Sequence, residues 1–385
     1  AGRGYFINTT SNACTVTLPA SPEVGDQIVL ADYARTWATN AVTIDSNGNN
    51  FQGEADTYIV DYDTVGQSLN IVYADSTKGW LPVSDDAVAD VGVAPATQKG
   101  LFAFGYTGSL TSVKNLVNSS GVVASDVTGV GTARYGLAAS SYGGDKAIFA
   151  YGYASGYVSM SNLVNNSGVV AADVSGVGSA RSGLGSSSYG GDKAIFGFGS
   201  TGSYVSLTNL VNNSGVVGAD VSGVGTARFG IAATEYGEDK GIFGFGFTAA
   251  ENLTGVTNLI SNSGVVASDV SAVGTARRYA SAAPYGGDKG IFAYGNTSGG
   301  GNVSMSNLVS NSGVVASDVS GVGTAREGSN ATNYGGDKAI FGFGNSGSVT
   351  GVTNLVNNSG VIAADVSAVG TARSDPAAAG YSYSA

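Results

Sequence analysis

Residues 181–228 read RSGLGSSSYGGDKAIFGFGSTGSYVSLTNLVNNSGVVGADVSGVGTAR, and they decide the fold. The stretch predicts four short strands, GLGSSSY, KAIFGFG, VSLTNLV and VVGADVSGV, in which small or polar residues alternate with β-branched or aromatic ones. GGD, STGSY and NNSG separate the strands and carry the glycines and asparagines of tight turns. The stretch is therefore predicted to be one four-stranded β unit.

This unit recurs six times along the chain. A unit this short cannot bury its own faces, so the copies must stack on one another. The markers stay in phase, and the spacings between successive arginines are 47, 47, 49, 49 and 47 residues. GTAR or GSAR ends at Arg134, Arg181, Arg228, Arg277, Arg326 and Arg373; DKAIF or DKGIF begins at Asp145, Asp192, Asp239, Asp288 and Asp337; NLV or NLI begins at Asn115, Asn162, Asn209, Asn258, Asn307 and Asn354.

The two ends of the repeated region favour a closed ring over an open solenoid. The first copy starts at Gln98 and lacks a first strand, whereas the chain continues after Arg373 with SDPAAAGYSYSA. This tail matches the first-strand segment RYGLAASSY of another copy. We expect the tail to complete the first copy and so protect edges that an open array would expose. Residues 98–385 are therefore predicted to form a six-bladed β-propeller.

Residues 1–86 contain no copy of the repeat. They predict seven short strands in GYFINTT, CTVTLP, DQIVLADY, AVTID, TYIVDY, SLNIVYAD and GWLPV, typical of a small sandwich or barrel-like β domain. Residues 87–97 are interpreted as a linker. Residues 1–98 hold 3 basic and 12 acidic residues, so most of the net charge of −11 lies in this part. The predicted fold class is all-β, with two domains.

Composition excludes several classes of function. The net charge of −11 argues against binding nucleic acid through phosphate. The single cysteine, Cys14, cannot form an intrachain disulfide, and the absence of histidine removes histidine bases and metal ligands. No apolar run is long enough for a membrane helix, so no membrane insertion is expected. We predict no metal and no cofactor.

The repeat resembles the kelch motif through the pattern R-x-G-x-A-A, D-K-x-I-F-G-F-G and G-T-A-R, and the resemblance covers all six copies. It departs from that motif in having Gly-aromatic-Gly where kelch units have a glycine pair, and valines such as Val122 and Val169 where they have a late Trp. Another propeller family therefore stays open. The resemblance implies a propeller that binds partners on one face.

The N-terminal segment resembles a module of virion and tail-fibre proteins of marine tailed phages, especially those infecting cyanobacteria. The likeness lies in TSNACTVTLPA, GDQIVLADYARTWATNAVTI, NFQG and VYADSTKGWLPV. It implies a virion appendage, made in the host cytoplasm, that is homotrimeric and contacts other virion proteins through residues 1–86.

The strand order places the GGD and NNSG turns on one face, nearly identical in every copy, and two variable positions on the other. A constant frame with one diversified set of positions is typical of a recognition surface. The mixture of aromatic, amide and charged residues suits sugars or polar groups. The candidate binding residues are Tyr135, Ser182, Phe229, Arg278, Glu327 and Ser374 after the arginine, and Tyr106, Tyr153, Ser200, Phe247, Asn296 and Asn345 after the second strand.

The repeated Arg of GTAR and the repeated Asp of ASDV are predicted to pair in a structural role, since every copy keeps both. The aspartates are Asp126, Asp173, Asp220, Asp269, Asp318 and Asp365. The chain lacks the residues that related enzymes need. Kelch-like copper oxidases use histidine ligands, and the chain has none. Sialidases use a clustered arginine triad, and Arg278 with Glu327 supplies too few of its residues. A paired-carboxylate glycosidase stays open, but no pair stands out.

These observations predict a non-enzymatic virion protein, of tail-fibre or appendage type, whose propeller binds a host cell-surface receptor or polysaccharide. Three alternatives stay open. The propeller could bind other virion proteins in a capsid- or tail-attached component. A bacterial surface adhesin would carry a signal sequence upstream of Ala1. A carbohydrate-active enzyme would need a carboxylate pair on the variable face.

Overall fold

A computed structural model describes residues 3–56, 60–85, 97–249, 252–299 and 301–383. The regular secondary structure of these residues is all β-strand, and no helix among them has the length and apolarity of a membrane span. The chain divides into two compact units, Ala1–Gly92 and Val93–Ala385. Apart from Thr97, the predicted linker of residues 87–97 lies outside the described residues.

The first unit has the seven strands that the sequence predicts, in two sheets of order β1-β3-β6-β7 and β2-β4-β5. The β1–β3 and β2–β4 pairs are parallel, and the other strand pairs are antiparallel. The strands are β1 (Arg3–Ile7), β2 (Cys14–Thr17), β3 (Gln27–Asp32), β4 (Val42–Asp45), β5 (Val60–Tyr62), β6 (Ser68–Asp75) and β7 (Gly79–Ser84).

One hydrophobic core joins the two sheets of the first unit. Leu30 and Leu69 come from the larger sheet and Val42 from the smaller one, and all three are fully buried. In β6 every second residue is buried, which is the period of a strand with one face on the core. Trp80 is fully buried in this core, edge-on to Tyr73 with ring centroids 5.5 Å apart.

The described residues of the second unit form six antiparallel three-stranded sheets, of order β25-β8-β9, β10-β11-β12, β13-β14-β15, β16-β17-β18, β19-β20-β21 and β22-β23-β24. The strands are β8 (Lys99–Ala103), β9 (Lys114–Val117), β10 (Ala138–Tyr142), β11 (Lys146–Ala150), β12 (Ser161–Val164), β13 (Gly185–Tyr189), β14 (Lys193–Gly197), β15 (Thr208–Val211), β16 (Ala232–Tyr236), β17 (Lys240–Gly244), β18 (Thr257–Ile260), β19 (Ser281–Tyr285), β20 (Lys289–Ala293), β21 (Ser306–Val309), β22 (Asn330–Tyr334), β23 (Lys338–Gly342), β24 (Thr353–Val356) and β25 (Ala377–Tyr381).

The C-terminal tail completes the first copy, as predicted. β25 pairs antiparallel with β8, with Ala378 opposite Phe102 and Tyr381 opposite Lys99. The backbone N–H of Gln98 also donates to the Ser382 carbonyl at 2.8 Å. The last strand of the chain therefore occupies the place that β10 has in the next sheet.

The prediction of a fourth strand in each unit is wrong. In residues 216–224 two isolated bridges reach β15, Val211 to Val217 and Thr208 to Val221, and the Gly218 N–H donates to the Leu210 carbonyl at 2.7 Å, but no continuous strand forms. Between them, the side-chain amide of Asn209 donates to the Gly218 carbonyl at 3.0 Å, so a buried side chain takes the place of a backbone donor at that carbonyl. The pattern VVGADVSGV instead describes an edge segment whose Val216, 62 % exposed, points to solvent.

A fully buried arginine joins each sheet to the next. Arg181 stacks on the ring of Tyr151 in the preceding sheet, with its guanidinium carbon 4.1 Å from the ring centroid. Its Nε donates to the Phe198 carbonyl at 2.9 Å and its Nη2 to Asn209 Oδ1 at 2.7 Å. Asp220 lies 3.9 Å from Nη1 and is thus the weaker partner.

The same arginine contact occurs in all six copies, including the one between the last and the first. The predicted Arg–Asp pairs are found at 3.9 Å for Arg134, Arg181 and Arg277. The stacked pairs are Arg134 on Phe104, Arg181 on Tyr151, Arg228 on Phe198, Arg277 on Phe245, Arg326 on Tyr294 and Arg373 on Phe343.

The aspartates hold the connecting segments. Asp220 accepts hydrogen bonds from the backbone N–H of Ser179 at 3.0 Å and from its hydroxyl at 2.6 Å. In the last copy, the Thr371 hydroxyl and N–H donate in the same way to Asp126 of the first copy. The final GTAR therefore contacts the first sheet as each earlier GTAR contacts the sheet that follows it.

Six backbone hydrogen bonds form a cycle beside the first strands. Gly183 N–H donates to the Gly136 carbonyl at 2.8 Å, and the cycle closes where Gly136 N–H donates to the Asp375 carbonyl at 3.4 Å. All six residues have positive φ, including the non-glycines Tyr279 and Asp375, at 49° each. The members in order are Gly136, Gly183, Gly230, Tyr279, Gly328 and Asp375.

The first strands of the six sheets line a narrow interior. β10, β13, β16, β19 and β22 each pack against the next, and β25 packs against both β22 and β10. Two cavities of about 60 Å³ are lined by residues from all six of these strands. Small residues such as Ala139, Ser186 and Ala233 occupy the lining, because larger ones would fill it.

Removal of residues 374–385 should destabilise the second unit strongly. The deletion leaves the edge of β8 unpaired and uncovers Leu101 and Phe102, which are fully buried. We expect the midpoint of thermal unfolding to fall by about 10 °C or more, and the aggregated fraction in size-exclusion chromatography to rise. A chain ending at Tyr383 is the control. Equal midpoints for the two chains would contradict the stabilising role of β25.

Arg181→Lys should cost about 2–4 kcal/mol of unfolding free energy, because a buried ammonium cannot replace the guanidinium's bonds to Phe198 and Asn209. Asp220→Asn should cost only about 1 kcal/mol, since the carboxylate is partly exposed and 3.9 Å from Arg181. Urea denaturation of both variants measures the difference. If Asp220→Asn were the costlier change, the contacts of Asp220 and not the Arg–Asn bond would join the sheets.

Candidate functional site

The structure brings the predicted binding residues together in pairs at one end of the six sheets. Tyr135 N–H donates to the Tyr153 carbonyl at 3.1 Å, and Tyr153 N–H donates back at 2.9 Å. We call this end the variable face. The bridged pairs are Tyr135–Tyr153, Ser182–Ser200, Phe229–Phe247, Arg278–Asn296, Glu327–Asn345 and Ser374–Tyr106.

The GGD and NNSG turns lie together at the opposite ends of the strands, as predicted. Asn166 Nδ2 donates to Asp145 Oδ2 at 3.1 Å, which links an NNSG turn to a GGD turn. The same bond joins Asn213 to Asp192. We call this end the constant face, since its turns repeat almost unchanged from copy to copy.

Aromatic side chains cover one part of the variable face. Tyr135 lies between Tyr106 and Tyr153, with ring centroids 6.0 Å and 5.8 Å away. Tyr157 adds an edge-on contact to Tyr153 at 5.3 Å, and its hydroxyl lies 3.5 Å from Ser200 Oγ. Tyr106 and Tyr157 are the most exposed of these rings, at 41 % and 38 %. They offer flat apolar surface to a ligand.

A second aromatic group continues from the first. Tyr204 stacks on Phe229 at 5.7 Å with an interplanar angle of 15°, and Phe229 contacts Phe247 at 5.3 Å and Tyr279 at 6.0 Å. The guanidinium of Arg278 lies 5.4 Å from the ring centroids of both Phe247 and Tyr279. Arg278 therefore marks the boundary between the aromatic and the polar parts of the face.

The polar part contains an ion pair and an amide chain. Arg278 Nε lies 4.0 Å from Glu327 Oε2. Burial raises the pKa of Glu327, and Arg278 partly counteracts the rise. Asn302 receives a hydrogen bond from Asn296 Nδ2 at 2.9 Å and donates one to the Asn345 carbonyl at 2.8 Å.

A cavity of about 390 Å³ opens at the centre of the variable face, within the size range of small-molecule sites. Not all of the predicted residues line it: Tyr106, Ser200, Phe247, Arg278 and Asn296 lie outside the lining. The predicted residues that do line it are Tyr135, Tyr153, Ser182, Phe229, Glu327, Asn345 and Ser374.

Sequence reasoning missed Tyr157, Tyr279 and Asp375, which also line the cavity. Tyr157 ends the loop after the second strand. Only alignment of this copy with the next, which has Tyr204 at the same position, could have indicated it. Tyr279 and Asp375 stand where other copies have the glycine of R-x-G, and they keep its positive φ. A non-glycine at such a position costs free energy and often marks a functional site.

The cavity thus combines aromatic rings with two carboxyl groups, Glu327 and Asp375. Burial raises the pKa of Asp375 to about 6, and the Glu327 carboxylate adds to the rise. Within the described residues no group of three or more Cys, Asp or Glu side chains could hold a metal ion. The lining is suited to stacking on an apolar ring face and to accepting hydrogen bonds from hydroxyl groups.

The comparisons with known proteins identify no family. No protein-family model matches the chain, and no curated protein matches it significantly. The kelch and phage resemblances therefore stay predictions.

Asp375→Asn should flatten the dependence of stability on pH. The Asp375 pKa is about 6 in the folded state, against an ordinary 3.8. Its stabilising contribution is present below about pH 4 and is lost as the pH rises through 6, at a cost of about 1–3 kcal/mol. Asn tolerates the positive φ and carries no charge. Urea denaturation at pH 4.5 and 7.5 should give the variant a smaller loss than the unsubstituted protein.

Asp337→Asn is the control for this experiment. The hydrogen bond from Lys338 lowers the pKa of Asp337, so its contribution is present at neutral pH and is lost as the pH falls. This variant should therefore lose stability at pH 7.5. If Asp375→Asn behaved in the same way, the pKa of Asp375 would not be raised in the folded protein.

Proposed function

We propose that the second unit is a closed six-bladed β-propeller with kelch-like repeats. Three observations support closure: β25 pairs with β8, Arg373 stacks on Phe343 while donating to Asn115, and the six-membered cycle of backbone hydrogen bonds ends on its own first member. An open array would leave the first and last copies without these contacts. The other propeller families remain the alternative to the kelch assignment.

We propose that this propeller is the ligand-binding part of a non-enzymatic phage virion protein, of tail-fibre or appendage type, that binds a receptor or polysaccharide on the host cell. The aromatic cavity of the variable face carries this proposal. Tyr135, Tyr153, Tyr157 and Phe229 offer ring surface, and Glu327 and Asp375 offer hydrogen-bond acceptors beside it. Stacking together with acceptors for hydroxyl groups is the chemistry that recognises sugars.

The first unit is proposed to contact other virion proteins and to form the homotrimer. β1 lies at the edge of its sheet, and its residues Tyr5 and Phe6 are 46 % and 78 % exposed. Tyr33, which directly follows β3, is 66 % exposed. An uncovered strand edge with exposed aromatic residues is a surface that another chain can cover.

Two alternatives use the same surfaces with different partners. A capsid- or tail-attached component would bind other virion proteins through the variable face, and purified virion sub-assemblies would then retain the chain while intact cells would not. A bacterial adhesin would bind cells and be found on a cell surface and not in a particle. Release of sugars from a host polysaccharide by the purified chain would overturn the non-enzymatic assignment.

The joint change of Tyr135, Phe229 and Arg278 to Ala should weaken binding of the labelled full chain to intact host cells by at least about tenfold. Each change removes ring surface or the charge beside it, and anchors of these types commonly contribute about 1–2 kcal/mol each. Flow cytometry on a panel of marine cyanobacteria measures the bound fraction, and thermal unfolding checks the fold.

The matched control changes Asn166, Asn213 and Asn358 to Ala on the constant face, where each amide donates to an aspartate. This variant should bind cells as the unsubstituted chain does. Equal binding by both triple variants would place the receptor site elsewhere, whereas absence of binding by the unsubstituted chain would favour a virion-internal partner.

A further inference from the structure

A second cavity, of about 290 Å³, opens at the centre of the constant face. Its lining includes Glu235, Glu238, Thr97, Ser188 and Asn333, all from the second unit. Of the described residues that line it, none is lysine or arginine. The cavity lies at the opposite ends of the strands from the variable face, so the proposed receptor site does not include it.

Both glutamates depart from the repeat, and both do so in the same copy. Glu235 occupies the fourth position of β16, where the other first strands have Ser141, Ser188, Pro284, Asn333 and Gly380. Glu238 occupies the position of the second glycine of the GGD turn, where other copies have Gly144, Gly191, Gly287 and Gly336. Two acidic departures of one copy therefore line the same cavity.

Each departure costs stability. Glu238 has a φ of 67°, in the left-handed region that its glycine counterparts occupy without strain. Burial raises the pKa of Glu235 to about 7, and Asp239 and Glu238 add to the rise, so the ionised carboxylate is held in an unfavourable place. Ser188 Oγ donates to Glu235 Oε2 at 2.5 Å and offsets only part of this effect.

Thr97 supplies an independent sign that a ligand belongs here. It is 4 % exposed and lines the cavity, and its Oγ1 has no hydrogen-bond partner among the residues that the structure describes. Buried hydroxyl groups are nearly always hydrogen-bonded, so an unpartnered one beside a cavity calls for an occupant. That occupant must be able to donate a hydrogen bond to the hydroxyl oxygen or accept one from it.

We propose that this cavity binds a primary ammonium group, carried either by a free alkylamine or by a lysine side chain of a protein. An ammonium group has three N–H donors, and the cavity presents oxygen atoms of three groups, Glu235, Glu238 and Thr97. Its single positive charge attracts both carboxylates and offsets one of their two negative charges. A divalent cation fits less well, since Ca²⁺ takes six to eight oxygen ligands and no cluster of three acidic side chains occurs in the described residues.

The test is calorimetric titration of the full chain at pH 8 with n-butylamine and with n-butanol, which has nearly the same shape but no charge. We expect butylamine to bind at least about tenfold more tightly, because the charge interaction with two carboxylates is the main attraction. Equal affinities for the two probes would overturn the proposal, and this comparison requires no substitution.

Glu235→Ser and Glu238→Gly restore the residues of other copies, so both variants should keep the fold, and the second should relieve the left-handed strain. Each should weaken butylamine binding by about fivefold or more, whereas Glu23→Gln in the first unit, with the same change of charge, should leave it unaltered. Butylamine binding that survives in the doubly substituted chain would overturn the proposal.

The source of the ammonium group is tested with the methylamide of Nα-acetyl-lysine. Tighter binding than that of butylamine would support a lysine side chain of a partner protein, and equal or weaker binding would support a free amine. The change of Tyr135, Phe229 and Arg278 to Ala should not affect butylamine binding. This site is therefore tested independently of the proposed receptor site.

Discussion

The buried arginine at the end of each GTAR is the contact on which the second unit depends. Each of the six guanidinium groups stacks on an aromatic ring of the preceding sheet and donates to the asparagine of NLV or NLI in its own sheet. An unpaired buried charge would cost several kcal/mol, so the arginine is stabilising only when both neighbours are in place. A three-stranded sheet thus gains a complete interface only from its neighbours, and the last sheet gains its interface from the first.

The aromatic residue under each arginine is held at some cost to the backbone. Phe198 has a φ of 64°, between two glycines, which costs about 1–2 kcal/mol for a residue with a side chain. Its ring is fully buried against Arg228, and burial of a phenylalanine contributes about 1.5–3 kcal/mol before the cation–π contact is counted. The packing therefore outweighs the strain.

The two faces of the six sheets are under different constraints. On the constant face, side chains such as Asn166 bond neighbouring turns to one another, so most changes there would break a contact. On the variable face, the paired positions are joined by backbone hydrogen bonds, so their side chains can change without loss of the frame. Aromatic rings fill one part of that face and Glu327 with Asp375 another. Glu235 and Glu238 are acidic departures from the repeat on the constant face, and both line one cavity.

The spacing of the repeat, the strands of the first unit and the missing first strand of the first copy could all be predicted from the sequence, because strand alternation and turn residues are local signals. The fourth strand could not, since the amide of Asn209 replaces a backbone bond that any pattern of valines would predict. The paired positions of the variable face could be predicted from strand order. The cavity positions of Tyr279, Asp375 and Glu235 could not, because each is a single departure from the repeat whose neighbours come from other sheets. The sequence by itself determined the repeated unit and the completion of the first copy by the tail, because the strand and turn residues of short segments predict both. Which side chains share a cavity was decided only by the tertiary structure, since contacts between different copies join residues far apart in the chain.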